Sequence, residues 1–253
     1  MNLVEPISTG IAGLFVGIVS VTAGGGATLG VPFLMAYGYT ANDAIVIVKF
    51  ALMASFIAGT LAYKRSATTE FAIPRIVWPL SFVGALTGSS VVLTIAANVM
   101  RLVVLMLLVM VLIMSCTIKQ FKSERPAGDF SQKRIGGAAA MFLLAAYSGF
   151  FGTGYGSFLM FALMYFYGLS FLDSAAAMTR INLLVTGTSV ANFIAKGAVN
   201  FHVAVPLALG CAVGGVVGVA IARRNGSRAV RIIFLGASAL LTVKLGFDIF
   251  RTQ

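Results

Sequence analysis

The sequence predicts an all-α integral membrane protein made of two inverted-topology repeats, each a glycine-broken helical pair followed by three transmembrane helices. Three observations predict this fold. The chain of 253 residues is 59% hydrophobic and 10% charged, whereas soluble domains average about a quarter charged residues. Residues 22–105 repeat without a gap at 152–235, always 130 positions later. The basic residues also collect in loops on one side of the predicted helices, which is how membrane helices are oriented.

The repeat rests on identical residues at equivalent positions, most of them glycines. The identical pairs are Gly24/Gly154, Gly26/Gly156, Tyr37/Tyr167, Gly38/Gly168, Asp43/Asp173, Phe71/Phe201, Gly84/Gly214, Gly88/Gly218 and Arg101/Arg231. A doubled apolar unit that opens with a glycine-broken segment is typical of secondary transporters, in which the substrate lies between the repeats.

Each copy divides into matching apolar runs. The first copy has runs at 7–22, 27–37, 41–63, 71–97 and 100–118, and the second has runs at 135–151, 157–167, 171–195, 201–222 and 229–250. A membrane crossing needs about 20 helical residues, so the second run of each copy is either re-entrant or a short tilted crossing. The domains are therefore a first repeat at 1–118, a cytoplasmic linker at 119–134 and a second repeat at 135–253.

Loop charges orient the chain. If each glycine-broken pair returns the chain to its starting side, one side carries most of the basic residues and only Arg101, Lys196 and Arg251 lie opposite. The positive-inside rule makes the crowded side cytoplasmic and places both termini outside. Matched loops also differ in charge, since Lys64 and Arg65 align with the apolar pair at 194–195. The two copies are therefore predicted to lie in opposite orientations.

The two glycine breaks are the predicted substrate site. The first break is Gly24–Gly26, with Gly25 at its centre, and the second is Gly152–Gly156. A helix that begins after such a break presents free N–H groups and the positive end of its dipole, which suits an anion. The alternative is that these glycines only allow close helix packing.

Two cations lie deep in predicted spans. Lys49 and Arg180 fall eight and nine residues into their runs, roughly 12–14 Å from the span start. A charge at that depth costs at least about 2.5 kcal/mol and usually marks function. The alternative is structural pairing with carbonyls or a lipid headgroup. Asn182 adds a neutral donor near Arg180, with Thr179 and Thr186, whereas Asp43 and Asp173 suit helix capping.

At GGGATLGVPFL and its partner GTGYGSFLMF, with the deep Lys and Arg, the chain resembles the sulfite exporter TauE/SafE family. The resemblance covers essentially the whole chain and implies a bacterial inner-membrane carrier of sulfur-containing anions such as sulfite and sulfoacetate. The family's Gly-rich breaks fall on Gly24–Gly26 and Gly154–Gly156. Tyr155 departs from the pattern at the place of Gly25, where its phenol can donate to an oxyanion or only fill space.

The predicted function is export of a small anion by alternating access, driven by the concentration gradient and the membrane potential, without a cofactor. The sequence has no P-loop, metal-ligand cluster or nucleophile–base arrangement, and its seven acids lie in loops or near span ends. An anion channel and an importer remain alternatives, and an enzyme or scaffold is disfavoured. The partners are the anion and the lipid bilayer, not nucleic acid, and a homo-oligomer is left open.

Overall fold

A computed structural model describes residues 4–64, 75–106, 134–152, 154–169 and 171–225. Every regular element in these ranges is an α-helix, which confirms the all-α class. The helices are α1 Val4–Ala23, α2 Gly26–Ala36, α3 Ala41–Lys64, α4 Val77–Val92, the described part of α5 Ala97–Met106, α6 Arg134–Phe150, α7 Tyr155–Tyr167, α8 Phe171–Ala195 and α9 Phe201–Asn225. The predicted run at 229–250 and nearly all of the linker lie outside the described residues.

The outer surface of the helices is apolar. Ile7, Ile11 and Phe15 follow one another at helical spacing on α1, and all three are exposed. Leu209 on α9 is 67% exposed. Two helices in the described part are long and apolar enough to cross a bilayer, over Ala41–Tyr63 and Phe201–Arg224. Large apolar faces of this kind are solvated by lipid tails rather than by water.

The pair formed by α1 and α2 is a hairpin that turns back inside the fold. Gly26 lies against Val16 of α1 and Leu52 of α3, whereas Gly30, one turn later, lies against Val48. The helix α2 therefore runs antiparallel to α3 and begins level with the middle of that helix. Its 11 residues span about 16 Å, roughly half of a bilayer's hydrocarbon core. The first break thus lies deep in the fold rather than at its surface.

The first helix of each half packs along the fourth helix of the other half. Gly10 lies against Gly210 and Ile18 against Gly218, so α1 and α9 are parallel and in close contact. In the same way Gly84 lies against Phe142 and Gly88 against Ala146, so α4 and α6 are parallel. Small residues at these positions let the backbones approach closely, as is common between membrane helices. These two contacts join the halves along their length.

The third helices of the two halves, α3 and α8, run in opposite directions. Gly59 near the end of α3 lies against Thr179 near the start of α8. The start of α3 and the end of α8 both reach the end of α4, where Asn42 donates to the Val92 carbonyl and Asn192 donates to the Ser89 hydroxyl. The central pair of helices is therefore antiparallel and polar at one end.

One predicted span differs from the structure. The run at 71–97 was expected as one segment, but its helix begins at Val77 and ends at Val92, and α5 begins at Ala97 instead of residue 100. Thr94 ends the helix, because its N–H and its hydroxyl both donate to the Val91 carbonyl at 3.0 and 2.8 Å. A hydroxyl that competes for a helix carbonyl in this way favours a turn, and the apolar composition of the run conceals it.

Candidate functional site

The two glycine breaks meet in the middle of the molecule. Gly24 and Gly154 stand at equivalent positions and both have left-handed backbones, with φ of 67° and 70°. The N–H of Gly156 donates to the carbonyl of Gly24 at 3.2 Å. A Cβ on Gly156 would collide with the Cα of Gly24. Only glycine allows these backbones to approach so closely, so the hairpins of the two halves are in direct contact.

A cavity lies beside this contact, and we name it the central cavity. Its volume is about 20 Å³, which is room for a small ion or for one or two water molecules. Both halves of the chain contribute to its wall. The lining residues are Gly24, Gly26, Ala27, Lys49, Leu52, Phe56, Ser148, Phe151, Gly152, Tyr155, Asn182 and Thr186.

Among the described residues, Lys49 is the only charged side chain that lines the cavity. It is 4% exposed, and its ammonium donates to the carbonyl of Ser148 at the end of α6. An ammonium has three N–H donors, and no second bond from it is found within the described residues. The carbonyl end of a helix carries partial negative charge, so this contact offsets part of the cost of burial. Lys49 can therefore be stabilised here and still attract an anion.

At two positions α8 presents polar side chains to the cavity, and the equivalent positions on α3 are apolar. Asn182 and Thr186 lie one turn apart on α8, and their repeat equivalents on α3 are Leu52 and Phe56. Asn182 is 3% exposed, and its side-chain amide nitrogen has no hydrogen-bond partner in the described part of the chain. A buried amide without a partner is costly. The cavity therefore holds an unused donor beside a cation, an arrangement suited to an anion.

The amide groups at the two helix starts are used differently. Gly26 and Ala27, the first residues of α2, line the central cavity. At the start of α7 the amides of Tyr155 and Gly156 donate to the carbonyls of Gly152 and Gly24. The first amide groups of the second break therefore make structural hydrogen bonds, and this break lines the cavity with Gly152 and Tyr155.

The structure brings together five of the predicted site residues: Gly24, Gly26, Lys49, Tyr155 and Asn182 line one cavity. Gly25, Gly154 and Gly156 are buried beside it without lining it. Arg180 also lies outside the lining, because two residues along a helix turn it about 200° away from Asn182. It is half-buried and has partners of its own.

Sequence reasoning placed Gly152 in the second break but missed two other wall residues of the second half, Ser148 and Phe151. Ser148 contributes through its backbone carbonyl, which no side-chain pattern reveals. At the start of α3 the capping group is the hydroxyl of Thr40, which accepts from the N–H of Asp43 at 3.2 Å and donates to the Asp43 carboxylate at 2.7 Å. Asp43 therefore orients the cap, and its own capping role stays a prediction.

Comparison with known proteins decides the family. The family model described as "Sulfite exporter TauE/SafE" matches residues 9–245. This chain belongs to the TauE/SafE family. It is 24% identical to the "Probable membrane transporter protein YfcA" of Escherichia coli K12, over 97% of this chain and 92% of that protein. It is 22% identical to the "Probable membrane transporter protein ORF9" of a Sinorhizobium species, over 94% and 91% of the two chains.

A third relative, described as "Probable membrane transporter protein" of Haemophilus influenzae, is 22% identical over 93% of this chain and 92% of its own length. No solved structure matches the chain. The family and its relatives make this TauE/SafE protein a membrane transporter, in agreement with its apolar helices. The resemblance seen in the sequence is thus confirmed.

Proposed function

We propose that this TauE/SafE protein exports a small sulfur-containing anion, such as sulfite or sulfoacetate, and binds its sulfite or sulfonate group at the central cavity. The observation that carries the proposal is that the Lys49 ammonium and the unpartnered amide of Asn182 share one buried cavity. A cation and a neutral donor in a dry site recognise the charge and an oxygen of an oxyanion. The sulfur chemistry is taken from the family, which is described as sulfite exporters.

The proposed site consists of Lys49, Asn182, Tyr155 and the first break, Gly24–Gly26. Gly154 and Gly156 hold the second break against the first and act through that contact. Arg180 adds positive potential from the other side of α8 rather than touching the anion. The substrate is thus bound by side chains of both halves.

The mechanism we propose is alternating access, in which two inverted halves move against each other around this site. Three features support it: the breaks meet at the cavity, α3 and α8 are antiparallel, and the first helix of each half packs on the fourth helix of the other. The protein lies in the bacterial inner membrane, with the linker 119–134 in the cytoplasm and both termini outside, as the loop charges favour.

The driving force we propose is the anion gradient together with the membrane potential. No acidic side chain is in the described lining of the cavity, and a mid-membrane carboxylate is the usual proton relay. An interior-negative potential pushes an anion outward by about 2.3 kcal/mol per charge per 100 mV. Export therefore requires no coupling ion.

The test is sulfite flux from proteoliposomes with an imposed potential. We expect efflux to rise with an interior-negative potential and to fall in Lys49→Met by roughly 30-fold or more, because an ion pair buried in a binding site is worth about 2–5 kcal/mol. Lys196→Met, which removes an exposed lysine in the loop before α9, is the matched control and should transport normally. Flux that ignores voltage and follows a proton gradient would overturn the driving force, and equal flux in both variants would overturn the site.

A further inference from the structure

The helices before the two breaks end differently. In the first half α1 continues to Ala23, and the hydroxyl of Thr22 donates to the Ile18 carbonyl at 2.7 Å. In the second half α6 ends at Phe150, three residues earlier in repeat numbering, and Gly152 stands where the first half has Thr22. Gly152 has no hydroxyl to donate, so the local bond of the first half has no counterpart in the second.

The backbone of the second half leaves this carbonyl open as well. The N–H of Gly152, which would reach Ser148 in a continued helix, donates instead to Tyr147 at 3.2 Å. The carbonyl of Ser148 thus receives no bond from Gly152, and Lys49 of the first half donates to it. A side chain at residue 152 would approach this carbonyl to 3.2 Å and the Lys49 Cε to 3.9 Å.

Carbonyls at the end of a discontinuous membrane helix are places where transporters bind free coupling cations. In this protein the ammonium group of Lys49, a side chain of the chain itself, occupies that position. Its repeat equivalent, Thr179, is neutral and donates to Ala175 of its own helix at 2.8 Å. Of these two equivalent positions, only the one in the first half therefore carries a cation.

We propose that Lys49 is a tethered cation that fills a monovalent-cation site at the end of α6 and replaces a free coupling ion. The site consists of the Ser148 carbonyl and the adjoining wall of the central cavity. Removing the lysine side chain then leaves a site for ammonium, methylammonium or Na⁺. The role in transport rests on the proposed function, whereas the cation site does not.

The test uses the purified full-length protein in detergent and follows thermal unfolding by circular dichroism. In choline chloride, Lys49→Ala should unfold at a lower temperature than the wild type. Replacing choline with ammonium or Na⁺ at equal ionic strength should recover part of the loss, increasingly with concentration as binding to the folded state requires. The wild type and Lys196→Ala should not respond, because neither has an empty cation site.

Two results would overturn the proposal. One is a Lys49→Ala protein that unfolds at the same temperature in choline, ammonium and Na⁺. The other is a wild type that Na⁺ or ammonium stabilises relative to choline, since its site would then not be filled by Lys49. If Lys49→Ala does not fold in choline, recovery of its folding in ammonium or Na⁺ would support the site, and a failure to fold in all three salts would also overturn it. A cation response in Lys49→Ala together with no sulfite flux in the wild type would support the tethered cation and reject the proposed substrate.

Discussion

The first and second glycine breaks occupy equivalent places in the repeat but contribute different chemistry to the central cavity. The first break contributes only glycines, Gly24 and Gly26. The second contributes Tyr155 as well as Gly152, and the amides of Tyr155 and Gly156 are engaged in hydrogen bonds to Gly152 and Gly24. The same difference appears on the central helices, since α8 presents Asn182 where α3 presents an apolar residue.

The residues that the two halves share and the residues in which they differ have separate roles at the central cavity. The shared glycines set where the two hairpins touch, because only a residue without a Cβ allows that approach. The differing side chains make α8 polar at the cavity where α3 is apolar, and the cation, Lys49, comes from α3. We therefore expect an anion to bind in one orientation, although the surrounding helices form equivalent pairs from the two halves.

The largest effect is expected from breaking the contact between the breaks. In Gly156→Ala the new methyl group would collide with backbone atoms of Gly24, which cannot rotate away as a side chain can. We expect a loss of about 1–3 kcal/mol of stability, the usual cost of overpacking, together with loss of anion flux. Thermal unfolding and proteoliposome flux measure the two effects.

Gly187→Ala is the matched control for that substitution. It lies within α8, and a Cβ there would meet no atom within 4 Å. Alanine also favours a helix by up to about 1 kcal/mol over glycine, so this variant should be at least as stable as the wild type. A Gly156→Ala protein that unfolded and transported like Gly187→Ala would show that the breaks need not touch.

The contact between the breaks could be anticipated from the sequence, and the details of the cavity could not. Glycine spacing and the constant offset indicate two equivalent interrupted helices, and the depth of Lys49 marks it as functional. The burial of a cation does not say whether it faces a partner, a cavity or another helix. Lys49 and Arg180 look alike in sequence, yet only Lys49 lines the cavity. The orientation of a side chain around its helix depends on packing, which the apolar runs leave undetermined.

The sequence does not predict that the Ser148 carbonyl is left without a bond from Gly152, for a related reason. The bond is missing because α6 stops three residues before the equivalent point in α1, and helix ends are the least certain feature that a sequence pattern predicts. The difference between Thr22 and Gly152 is visible in the alignment of the two copies. Its consequence for the Ser148 carbonyl depends on the hydrogen bond from the Gly152 N–H to the Tyr147 carbonyl, which only the structure shows.

A smaller and more selective effect is expected from making the two central helices alike. Asn182→Leu places on α8 the residue that α3 carries at the equivalent position, Leu52. Sulfite affinity should fall by about 10- to 100-fold, because a hydrogen bond to a charged group contributes about 1.5–3 kcal/mol. Stability should be unchanged or higher, since the replaced amide nitrogen has no partner in the described residues. Isothermal titration and thermal unfolding measure the two quantities.

Asn192→Leu makes the same substitution on the same helix with the opposite expected result. The amide of Asn192 donates to the Ser89 and Ser90 hydroxyls at 3.0 and 3.3 Å, so its loss should cost about 0.6–1.7 kcal/mol of stability. It does not line the central cavity, and sulfite affinity should be retained. If both asparagine variants lost affinity equally, the effect would be general to α8 and not specific to the site.

The smallest effect is expected at the end of α1, where the first half satisfies its own carbonyl. Thr22→Val keeps the shape of the side chain and removes the hydroxyl that donates to Ile18 at 2.7 Å. The helix continues past this point to Ala23, so we expect a loss of only about 0.6 kcal/mol, the average for a membrane hydrogen bond. The variant should transport sulfite normally, and Na⁺ should leave its unfolding temperature unchanged, as in the wild type. A Thr22→Val protein that gained stability from Na⁺ or ammonium would show that the first half can also form a cation site. The two breaks would then differ by a single hydroxyl group rather than by the position of Lys49.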